Sequence, residues 1–485
     1  MTVGDRAAAA GHPTRHSTLS TLLDAVPSRR HPSISGDAST EVTGMTHDSR
    51  LVAPGDLFAC VRGTRADGHQ LAPEAVAAGA TALLVDHVLD LPVGQLVVDD
   101  TRQAMGFVAA AVHDHPSRDL QVVGITGTNG KTTTCHLLAA ILRAAGRPTG
   151  VIGTLSGAHT TPEAPELQAR LGAFRDEGHR AVVMEVSSHA LALHRVDGTR
   201  FAAAVFTNLG TDHLDLHRTP EDYFRAKASL FTPELTAVGV TNVDDAHGQL
   251  LADAAPIPMV AFSMADATDV ELAADRHAFT WRGRRVEVSM GGRFNVSNAL
   301  AAATAADVLG IGIDAIVTGL AAAGPVAGRF ERIGSGDIVA IVDYAHTPDG
   351  LEQVILAARG VTAGGVVVVF GAGGDRDHAK RPLMGATAAA LADRVVVTSD
   401  NPRSEDPAAI ISDVLAGIDA SLRDKVHVEP DRAAAIAFAL DVARPGDVVV
   451  VAGKGHETTQ TIGQRVLPFD DRAVVGGLMQ QRSAP

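Results

Sequence analysis

Short apolar runs alternate with helical patterns over the last third of the chain. They follow one another as strand 338–342, helix 351–358, strand 366–370, helix 388–392, strand 394–397, helices 407–415 and 433–442, and strand 448–451. Strands that alternate with helices predict βαβ units, and βαβ units predict a parallel sheet. The segment Ala323-Gly324-Pro325 precedes this region and reads as a linker.

The middle of the chain shows the same alternation. A helical stretch at 101–113 is followed by a strand at 120–126 and by the polar residues 127–133. The next helix is predicted by apolar residues at helical spacing, namely Leu137, Leu138, Ile141, Leu142 and Ala145. Further apolar runs at 181–186 and 201–207 are strand candidates.

The composition supports an α/β protein of several domains. The chain has 485 residues, of which 46% are hydrophobic and only 4% aromatic, so its cores must consist mainly of Ala, Val, Leu and Ile. At roughly 150 residues per domain, the length indicates about three domains. Residues 18–100, where short apolar runs alternate with loops rich in Gly, Pro and Asp, predict a small first α/β domain.

Charge and cysteine content exclude several classes of protein. The formal net charge of −15 disfavours a nucleic-acid partner. No apolar run reaches the roughly 18 residues that span a bilayer, and residues 1–17 lack the hydrophobic stretch of a secretory signal. Cys60 and Cys135, the only cysteines, indicate neither a disulfide framework nor a zinc site. We therefore expect a cytoplasmic protein with no membrane partner. We also expect a monomer.

Polar or glycine-rich sets directly follow many of the predicted strands. They are 127–133, 185–189, 208–215, 343–349, 371–377, 400–403 and 453–457. Ligands of open parallel sheets bind beyond the carboxyl ends of the strands. The pattern therefore predicts binding sites at these strand ends.

The loop after strand 120–126 has the composition of a phosphate-binding loop. It reads Gly124-x-x-Gly127-x-x-Gly130-Lys131-Thr132, and Ile125 stands where the strict P-loop pattern has glycine. Backbone N–H groups of such a loop cradle phosphates at a helix N-terminus, the lysine neutralises the β- and γ-phosphates, and the threonine hydroxyl ligates Mg²⁺. The alternative, an incidental glycine turn, is disfavoured by the strand–loop–helix context.

Two further strand ends carry candidate metal ligands. Glu185 ends its strand beside the phosphate loop and can hold Mg²⁺, although a solvated strand end is the alternative. His213 lies in the polar set 208–215, and such a histidine is either a metal ligand or a structural residue. Asn242, Asp244 and Asp245 resemble a guanine-reading motif without its lysine, and therefore do not indicate GTP.

Lys227 occupies an unusual place in its predicted helix. Thr219 is the expected N-cap and Pro220 the first helical residue. Tyr223, Phe224, Leu230 and Phe231 form an apolar stripe with Lys227 at its centre. Because an unpaired buried charge is costly, Lys227 must be neutral, paired or chemically modified, unless its ammonium reaches water at the end of the side chain.

The ordered motifs between Thr46 and Glu457 resemble those of the Mur ligases. They are Asp48-Ser-Arg50, Pro54-Gly-Asp-Leu-Phe58, Asp67-Gly-His69, Thr126-Gly-Thr-Asn-Gly-Lys-Thr-Thr133, Met184-Glu-Val-Ser-Ser-His189, Tyr223-Phe-x-x-Lys227, Phe294-Asn-Val-x-Asn298, Gly328-Arg-Phe-Glu331, Asp343-Tyr-Ala-His-Thr-Pro-Asp349, Gly373-Gly-Asp-Arg-Asp377, Asp400-Asn-Pro-Arg403 and Gly453-Lys-Gly-His-Glu457. The family's own phosphate loop lacks the strict pattern as well, which accounts for Ile125.

The resemblance implies an α/β fold with three domains and an ATP-dependent ligase activity. It implies an N-terminal UDP-MurNAc-binding domain at 1–100, a central P-loop ATPase domain at 101–327 and a C-terminal Rossmann-like domain at 328–485 that binds the amino acid. ATP, UDP-MurNAc-L-Ala-D-Glu and a diamino acid are the implied substrates, with Mg²⁺ as cofactor and a CO₂-derived carbamate on Lys227.

The resemblance also assigns site residues. Those implied for ATP are Gly127, Thr128, Asn129, Gly130, Lys131, Thr132, Thr133, Asn298, Arg329 and Asp343. Those implied for catalysis and metal are Lys131, Thr132, Glu185, His213 and carbamylated Lys227. Those implied for the UDP-muramoyl dipeptide are Ser49, Thr160, Thr161, Ser187 and Arg195.

Substrate choice follows from the chemistry of two strand ends. Arg403 can bind the distal carboxylate of meso-diaminopimelate through two parallel hydrogen bonds, and it repels the ammonium of L-lysine. The expected pocket consists of Arg376, Asp400, Asn401, Arg403, Gly453 and Glu457. We expect meso-diaminopimelate as the added residue, with L-lysine addition and a folylpolyglutamate synthetase-like activity as alternatives. A motor or signalling NTPase and a silent binding protein are disfavoured.

Overall fold

The computed structural model describes the chain from residue 16 to residue 483 with short gaps. The described residues are 16–63, 66–157, 159–210, 212, 217, 219–334 and 336–483. Three large sheets of five or six strands, each with helices packed against it, follow one another along this part of the chain, and three smaller sheets accompany them.

The first sheet has five strands. Its unit comprises β1 (Ser17–Thr18), α1 (Leu19–Ala25), β2 (Ser33–Ser35), β3 (Glu41–Val42), β4 (Gly44–Thr46), β5 (Asp56–Ala59), α2 (Gly68–Ala77), β6 (Ala82–Val85), β7 (Gly94–Val97) and α3 (Thr101–Val112). The strand order is β2–β7–β6–β5–β4, in which only β2 is antiparallel to its neighbour. The small separate pair β1–β3 is antiparallel.

Helix α3 packs into the core of the first unit. Its side chains Ala104, Met105 and Val108 are buried in one cluster with Leu57 and Leu84 of the first sheet. The sequence pattern placed this helix at the opening of the second region. The packing instead attaches it to the first sheet, because its apolar face covers strands that precede it.

The second sheet has six parallel strands. Its unit comprises β8 (Gln121–Thr126), α4 (Lys131–Ala144), β9 (Thr149–Ile152), α5 (Ala164–Asp176), β10 (Ala181–Glu185), α6 (Ser188–Ala192), β11 (Ala203–Phe206), α7 (Pro220–Ala228), β12 (Gly239–Asn242), α8 (Ala246–Ala254), β13 (Met259–Phe262), β14 (Thr268–Leu272), β15 (His277–Trp281), β16 (Arg284–Val288), α9 (Arg293–Val308) and α10 (Ile313–Ala322). The order is β13–β12–β11–β8–β10–β9. Strands β14, β15 and β16 form a separate antiparallel sheet, which was not predicted from the sequence.

Small residues allow close helix packing behind the phosphate loop. A Cβ atom on Gly319 of α10 would overlap the backbone of Ile141 in α4. Along α9, the side chains from Ala299 to Ala303 are almost fully buried against the same core. The abundance of alanine in this region therefore reflects short interhelical distances.

The third sheet has six strands, five of them parallel. Its unit comprises β17 (Glu331–Ile333), β18 (Val339–Asp343), α11 (Pro348–Arg359), β19 (Val366–Phe370), α12 (Lys380–Leu391), β20 (Arg394–Val397), α13 (Pro407–Ala416), β21 (Val426–Val428), α14 (Arg432–Val442), β22 (Val448–Ala452), β23 (Thr459–Ile462), β24 (Arg465–Pro468) and α15 (Asp471–Ser483). The order is β17–β18–β22–β19–β20–β21, with β17 antiparallel to β18. The strands predicted here are confirmed, whereas the hairpin β23–β24 was not predicted.

The central strands of this sheet are valine-rich because both of their faces are buried. Every residue of β19 and β22 is almost inaccessible to solvent, as expected where helices cover both sides of a parallel sheet. Within the described part of the chain, no helix is both long enough and apolar enough to cross a membrane.

A buried ion pair ties the last helix to the third sheet. Arg432 donates through Nε and Nη2 to the two carboxylate oxygens of Asp471, each at 2.7 Å, and both side chains are fully buried. Arg432 also donates to the carbonyl oxygens of Ser399 and Ala452, at the carboxyl ends of β20 and β22. The pair therefore fixes the strand ends that carry two of the polar loops.

We expect Asp471→Asn to lower the free energy of unfolding by about 3–5 kcal/mol, because it leaves the Arg432 guanidinium buried beside a neutral amide. Urea denaturation followed by circular dichroism measures this. The matched control is Asp441→Asn, which removes the exposed partner of Arg482 and should change stability by less than about 1 kcal/mol. Equal effects of the two substitutions would contradict the prediction.

Candidate active site

The loops at the carboxyl edge of the second sheet surround a cavity of about 430 Å³. Loops that follow β8, β10, β11 and β12 contribute to it, and residues after α10 close it from the third unit. Its lining includes most residues implied for ATP, two implied for the dipeptide and the implied metal ligand Glu185. They are Thr128, Asn129, Gly130, Lys131, Thr132, Thr133, Asn298, Arg329 and Asp343 for ATP, and Thr160 and Ser187 for the dipeptide. The structure thus brings together residues that are more than 200 positions apart.

Two glycines give the phosphate loop its shape. Gly127 has φ 147° and Gly130 has φ 86°, a backbone region that favours glycine. Neighbouring polar side chains also leave no room for a Cβ atom, which would overlap Thr207 Oγ1 at Gly127 and Asn298 Oδ1 at Gly130. Asn298 therefore supports the loop from α9.

Lys131 folds back over the loop that precedes it. Its Nζ donates to the carbonyl oxygens of Gly127 and Thr128, each at 2.9 Å. Burial lowers the pKa of Lys131, while the carboxylates of Glu185 and Asp212 act in the opposite direction. This places a cation at the centre of the cavity, where a phosphate group can exchange with the carbonyl oxygens.

Thr132 and Glu185 form a polar centre beside Lys131. The Thr132 hydroxyl lies 3.1 Å from both carboxylate oxygens of Glu185, and the latter side chain is only 2% exposed. Thr154 donates its backbone N–H to Glu185 at 2.8 Å, and its hydroxyl donates at 3.2 Å. Arg329 Nη2 lies 3.1 Å from the Thr132 hydroxyl and links this centre to the third unit.

Lys227 is buried, as its place in the apolar stripe predicted. It is 1% exposed, donates to the carbonyl oxygen of Gly127 at 2.9 Å and lies 4.4 Å from the centroid of the Tyr223 ring. Burial first and the neighbouring Lys131 cation second lower the pKa of Lys227 well below its usual value. Tyr223 in turn lies within hydrogen-bond distance of Thr128, with 3.1 Å between the two hydroxyl oxygens.

The turn between α10 and β17 connects the third unit to the cavity. Both carboxylate oxygens of Asp343 accept backbone N–H groups, from Phe330 at 2.6 Å and from Ala345 at 2.7 Å. Burial raises the pKa of Asp343. Gly328, with φ 63°, packs so closely that a Cβ atom would overlap the backbone of Gly455. Asp343 thus lines the cavity and also holds this turn.

The residues implied for the dipeptide fall into two groups. Thr160 and Thr161 lie next to Glu185, because Thr161 donates to its backbone carbonyl at 2.9 Å and accepts the Ser187 N–H at 3.1 Å. Arg195 donates to the Thr161 carbonyl at 3.0 Å and forms a 2.8 Å ion pair with Glu163.

Ser49 lies in the first unit, in the short helical turn Ser49–Leu51, and does not line the cavity. Glu163, which pairs with Arg195, also pairs with Arg102 of α3 at 3.2 Å. This chain of ion pairs connects the first unit to the dipeptide residues.

A second cluster of polar side chains, which we call the second pocket, lies at the carboxyl edge of the third sheet. Asn401 Nδ2 donates to Asp400 Oδ1 at 3.1 Å and to Glu457 Oε2 at 2.8 Å. Lys454, which is fully buried, donates to the same oxygen of Glu457 at 3.0 Å and to the carbonyl oxygen of Thr459. Glu457 is therefore held through one carboxylate oxygen, and within the described residues its other oxygen has no hydrogen-bond partner.

Arg403 and Arg376 border the same pocket. Arg403 has φ 53° and donates to the carbonyl oxygen of Gly374 at 2.7 Å, while Arg376 is exposed on the neighbouring loop. At Gly453, with φ 115°, a Cβ atom would come within 2.6 Å of Asp400 Oδ2. The six residues predicted for the diamino acid therefore come together at one sheet edge.

Tyr344 lies near residues of both sites. It lines the cavity, and its ring centroid is 4.4 Å from the Arg329 guanidinium carbon and 5.1 Å from the centroid of the His456 ring. Burial raises the pKa of Tyr344 to about 12, and burial lowers that of His456 to about 4. Tyr344 is therefore a neutral aromatic side chain in the lining of the cavity, close to the segment that ends at Glu457.

Several residues of these pockets were not selected from the sequence. Asn242, Asp244 and Asp245, which were set aside because they do not read guanine, line the cavity. Lys454 belongs to the same Gly453–Glu457 segment as two selected residues, but no pattern showed that its ammonium would be buried. His213 lies outside the described residues, so its predicted role as a metal ligand stays a prediction.

We expect Lys131→Ala to reduce nucleoside triphosphate turnover by about two orders of magnitude or more, since it removes the cation that faces the transferred phosphate. A phosphate-release assay measures this. The thermal midpoint should change little, because among the described residues the Lys131 ammonium donates only to carbonyls of its own loop. Lys425→Ala, which removes a lysine bound to the Ala392 carbonyl on the third unit, is the control. Normal turnover by folded Lys131→Ala would contradict the prediction.

Three family models match the chain in order. The catalytic-domain model of the Mur ligase family matches residues 41–118, the Mur ligase middle domain matches 125–306, and the Mur ligase glutamate ligase domain matches 328–455. Together these matches cover most of the described chain.

Similar proteins share nearly the whole length. The UDP-N-acetylmuramoyl-L-alanyl-D-glutamate–2,6-diaminopimelate ligase of Streptomyces avermitilis is 48% identical, and the alignment covers 92% of this chain and 94% of that protein. A solved structure with the same protein name is 32% identical, covers 97% of this chain and 100% of its own, and has a TM-score of 0.67. MurF from Acinetobacter baumannii, at 24% identity and TM-score 0.68 over 97% of this chain and 100% of its own, shares the fold.

Proposed function

The chain belongs to the Mur ligase family, and on this basis we propose that it adds meso-diaminopimelate to UDP-MurNAc-L-Ala-D-Glu in an ATP-dependent reaction. The observation that carries the proposal is the second pocket, in which Asp400, Asn401, Arg403 and Glu457 face the edge of the third sheet. A site for an amino acid with a second charged end thus lies next to a phosphate-binding cavity. Diaminopimelate ligases at up to 48% identity support the same choice.

The proposed reaction has two steps. The side-chain carboxylate of D-Glu attacks the γ-phosphorus of ATP, which forms an acyl phosphate and releases ADP. The amine of the diamino acid then attacks the acyl carbon, and the tetrahedral intermediate collapses with loss of phosphate. No protein nucleophile is needed, because the phosphate itself is the leaving group. The chain contributes position and charge.

Specific residues provide that charge. Lys131 lies over the phosphate loop and faces the β- and γ-phosphates, where it stabilises the charge of the transferred group. Arg329 approaches the same centre from the third unit. Thr160, Thr161 and Ser187 lie beside Glu185 and hold the dipeptide end near the γ-phosphate.

The donor set beside the phosphate loop fits Mg²⁺. The Thr132 hydroxyl and the Glu185 carboxylate are hard oxygen donors that already lie within 3.1 Å of each other. His213 is the proposed further ligand. When bound, Mg²⁺ neutralises phosphate charge, and the protein residues fix the direction from which the dipeptide carboxylate approaches.

Lys227 is the proposed site of a CO₂-derived carbamate. An ammonium there stands beside that of Lys131 and is fully buried, so its charged form is disfavoured. The neutral amine attacks CO₂ and releases a proton, and the resulting carbamate carries a negative charge that the Lys131 cation compensates. The carbamate oxygens would be further donors for Mg²⁺.

The second pocket favours diaminopimelate over L-lysine. The Arg403 guanidinium suits the distal carboxylate, and the open oxygen of Glu457 suits the distal ammonium. L-Lysine offers only an ammonium, which gains nothing from Arg403. L-Lysine addition remains the second candidate. A folylpolyglutamate synthetase-like ligase would have no use for the set Asp400–Arg403.

The remaining expectations are part of the same proposal. We assign the first unit to the UDP end of the substrate, the second to ATP and the third to the diamino acid. The first boundary lies after α3, which packs on the first sheet, and the second lies near residue 327. A cytoplasmic monomer without nucleic-acid partner fits the net charge of −15. Light scattering of the full chain tests the oligomeric state.

The decisive assay is phosphate release with each substrate omitted in turn. We expect release only when ATP, UDP-MurNAc-L-Ala-D-Glu and meso-diaminopimelate are all present. Release that requires L-lysine instead would favour the second candidate. Release that needs a folate and glutamate would replace the proposal altogether.

We expect Lys227→Ala to lose nearly all ligase activity and Lys227→Glu to recover a small part, since glutamate supplies a carboxylate at a similar position. Carbon-13 NMR after exposure to labelled bicarbonate should show a carbamate signal in the unmodified chain and in Lys425→Ala but not in Lys227→Ala. A fully active Lys227→Ala variant without loss of the signal would contradict the prediction.

We expect Arg403→Ala to raise the KM for meso-diaminopimelate by about tenfold to a hundredfold, because it removes charge-assisted hydrogen bonds to the distal carboxylate. The KM for ATP should stay within about twofold. Steady-state kinetics with each substrate varied measures both. Arg465→Ala, an exposed arginine on the β23–β24 hairpin, is the control. Equal coupling of L-lysine and meso-diaminopimelate by the unmodified chain would disprove this role of Arg403.

A further inference from the structure

A further cavity, of about 540 Å³ and distinct from the second pocket described above, lies at the amino edge of the second sheet. It is bounded by the residues before β8, β11 and β12, and by α3 and the turn Ser28–Arg30 of the first unit. The phosphate loop follows the opposite end of β8, a strand of six residues. At about 3.3 Å per residue, the two sites are roughly 20 Å apart, so this cavity is separate from the active site.

The cavity is positively charged in an otherwise acidic chain. Its charged lining residues are Arg29, Arg30, Arg118, Arg200, Asp197 and Glu234. Four guanidinium groups thus face two carboxylates, whereas the whole chain has a net charge of −15. A local surplus of positive charge favours an anionic ligand.

Most of these cations lack an internal partner. Arg30 pairs with Asp197 at 3.6 Å and lies 5.4 Å from the centroid of the Phe107 ring, so Asp197 neutralises it in part. Over the described residues, no carboxylate forms an ion pair with Arg29, Arg118 or Arg200. Their side chains therefore remain available to a ligand.

The backbone of the cavity wall is strained at two histidines. His115 has φ 48° and His194 has φ 54°, in the left-handed region that costs free energy for a residue with a Cβ atom. His194 contacts Asp197 at 3.1 Å, and burial together with the nearby Arg118 lowers the pKa of His115. Such strain persists only where surrounding contacts impose it, and it is concentrated at functional sites.

We propose that this cavity is a binding site for a small oligophosphate, with Arg118 and Arg200 as its principal ligand-binding residues. Guanidinium groups bind phosphate oxygens through paired hydrogen bonds, and the volume is that of a small-molecule site. The site recognises phosphate rather than a nucleobase. A base would need an open aromatic ring to stack on, and Arg30 already covers the ring of Phe107. The ligand would bridge the first and second units, and the site stands apart from the proposed ligase reaction.

The test uses tripolyphosphate as the probe and the full chain with Lys131→Ala, which weakens phosphate binding at the active site. Titration calorimetry without Mg²⁺ should show one equivalent bound, with an affinity that falls as salt rises. Adding Arg118→Ala and Arg200→Ala should weaken binding by at least about tenfold. Adding Arg394→Ala, an exposed arginine of the third unit, should leave it unchanged.

A variant that retains both positive charges controls for loss of folding. Arg118→Lys with Arg200→Lys should bind with intermediate affinity and melt at the same temperature as the parent. Competition with pyrophosphate and with ADP distinguishes a site for a free oligophosphate from a site for a nucleotide. A nucleotide site would bind ADP more tightly than pyrophosphate, and a phosphate site would not. Absence of binding to the Lys131→Ala chain, or binding unaffected by the alanine pair, would overturn the proposal.

Discussion

The carbonyl oxygen of Gly127 accepts hydrogen bonds from two ammonium groups, and the chemistry of the active site depends on this crowding of positive charge. Lys131 and Lys227 each donate to it at 2.9 Å, from different helices. Two cations so close together, one of them fully buried, are stable only when negative charge comes near or one of them loses its proton. The cavity therefore favours an anion beside Lys131 and the neutral amine at Lys227.

The folding pattern could be predicted from the sequence because burial on both faces leaves a strong signal. The valine runs of β19 and β22 have no polar position, and only a central parallel strand explains that. The antiparallel sheet β14–β16 and the hairpin β23–β24 were missed, since their half-exposed strands carry charged residues such as Arg284, Arg285 and Arg465. Helix α3 was assigned to the wrong core because periodicity identifies an apolar face but not the surface that it covers.

The candidate site could be predicted only where residues share a motif. Lys131, Thr132 and Glu185 stand at strand ends with recognisable composition, and the structure places them together. By contrast, Thr154 takes part through contacts that no local spacing encodes. Tyr344 and Lys454 lie in recognisable motifs, but the motifs do not show that these two side chains are buried at the sites. The fold is shared with MurF from Acinetobacter baumannii, at a TM-score of 0.68. We propose that the side chains at the edge of the third sheet determine the substrate.

Arg329 has a consequence for the energetics of substrate binding. It reaches from the third unit to the Thr132 hydroxyl, and the adjacent Gly328 packs on the backbone of Gly455. The turn thus touches the phosphate loop at one end and the pocket proposed for the diamino acid at the other. If occupation of the cavity strengthens binding in the second pocket by some factor, thermodynamic linkage requires that the second ligand tighten the first by the same factor. Order of addition then affects only the rates, and the two affinities form one coupled equilibrium.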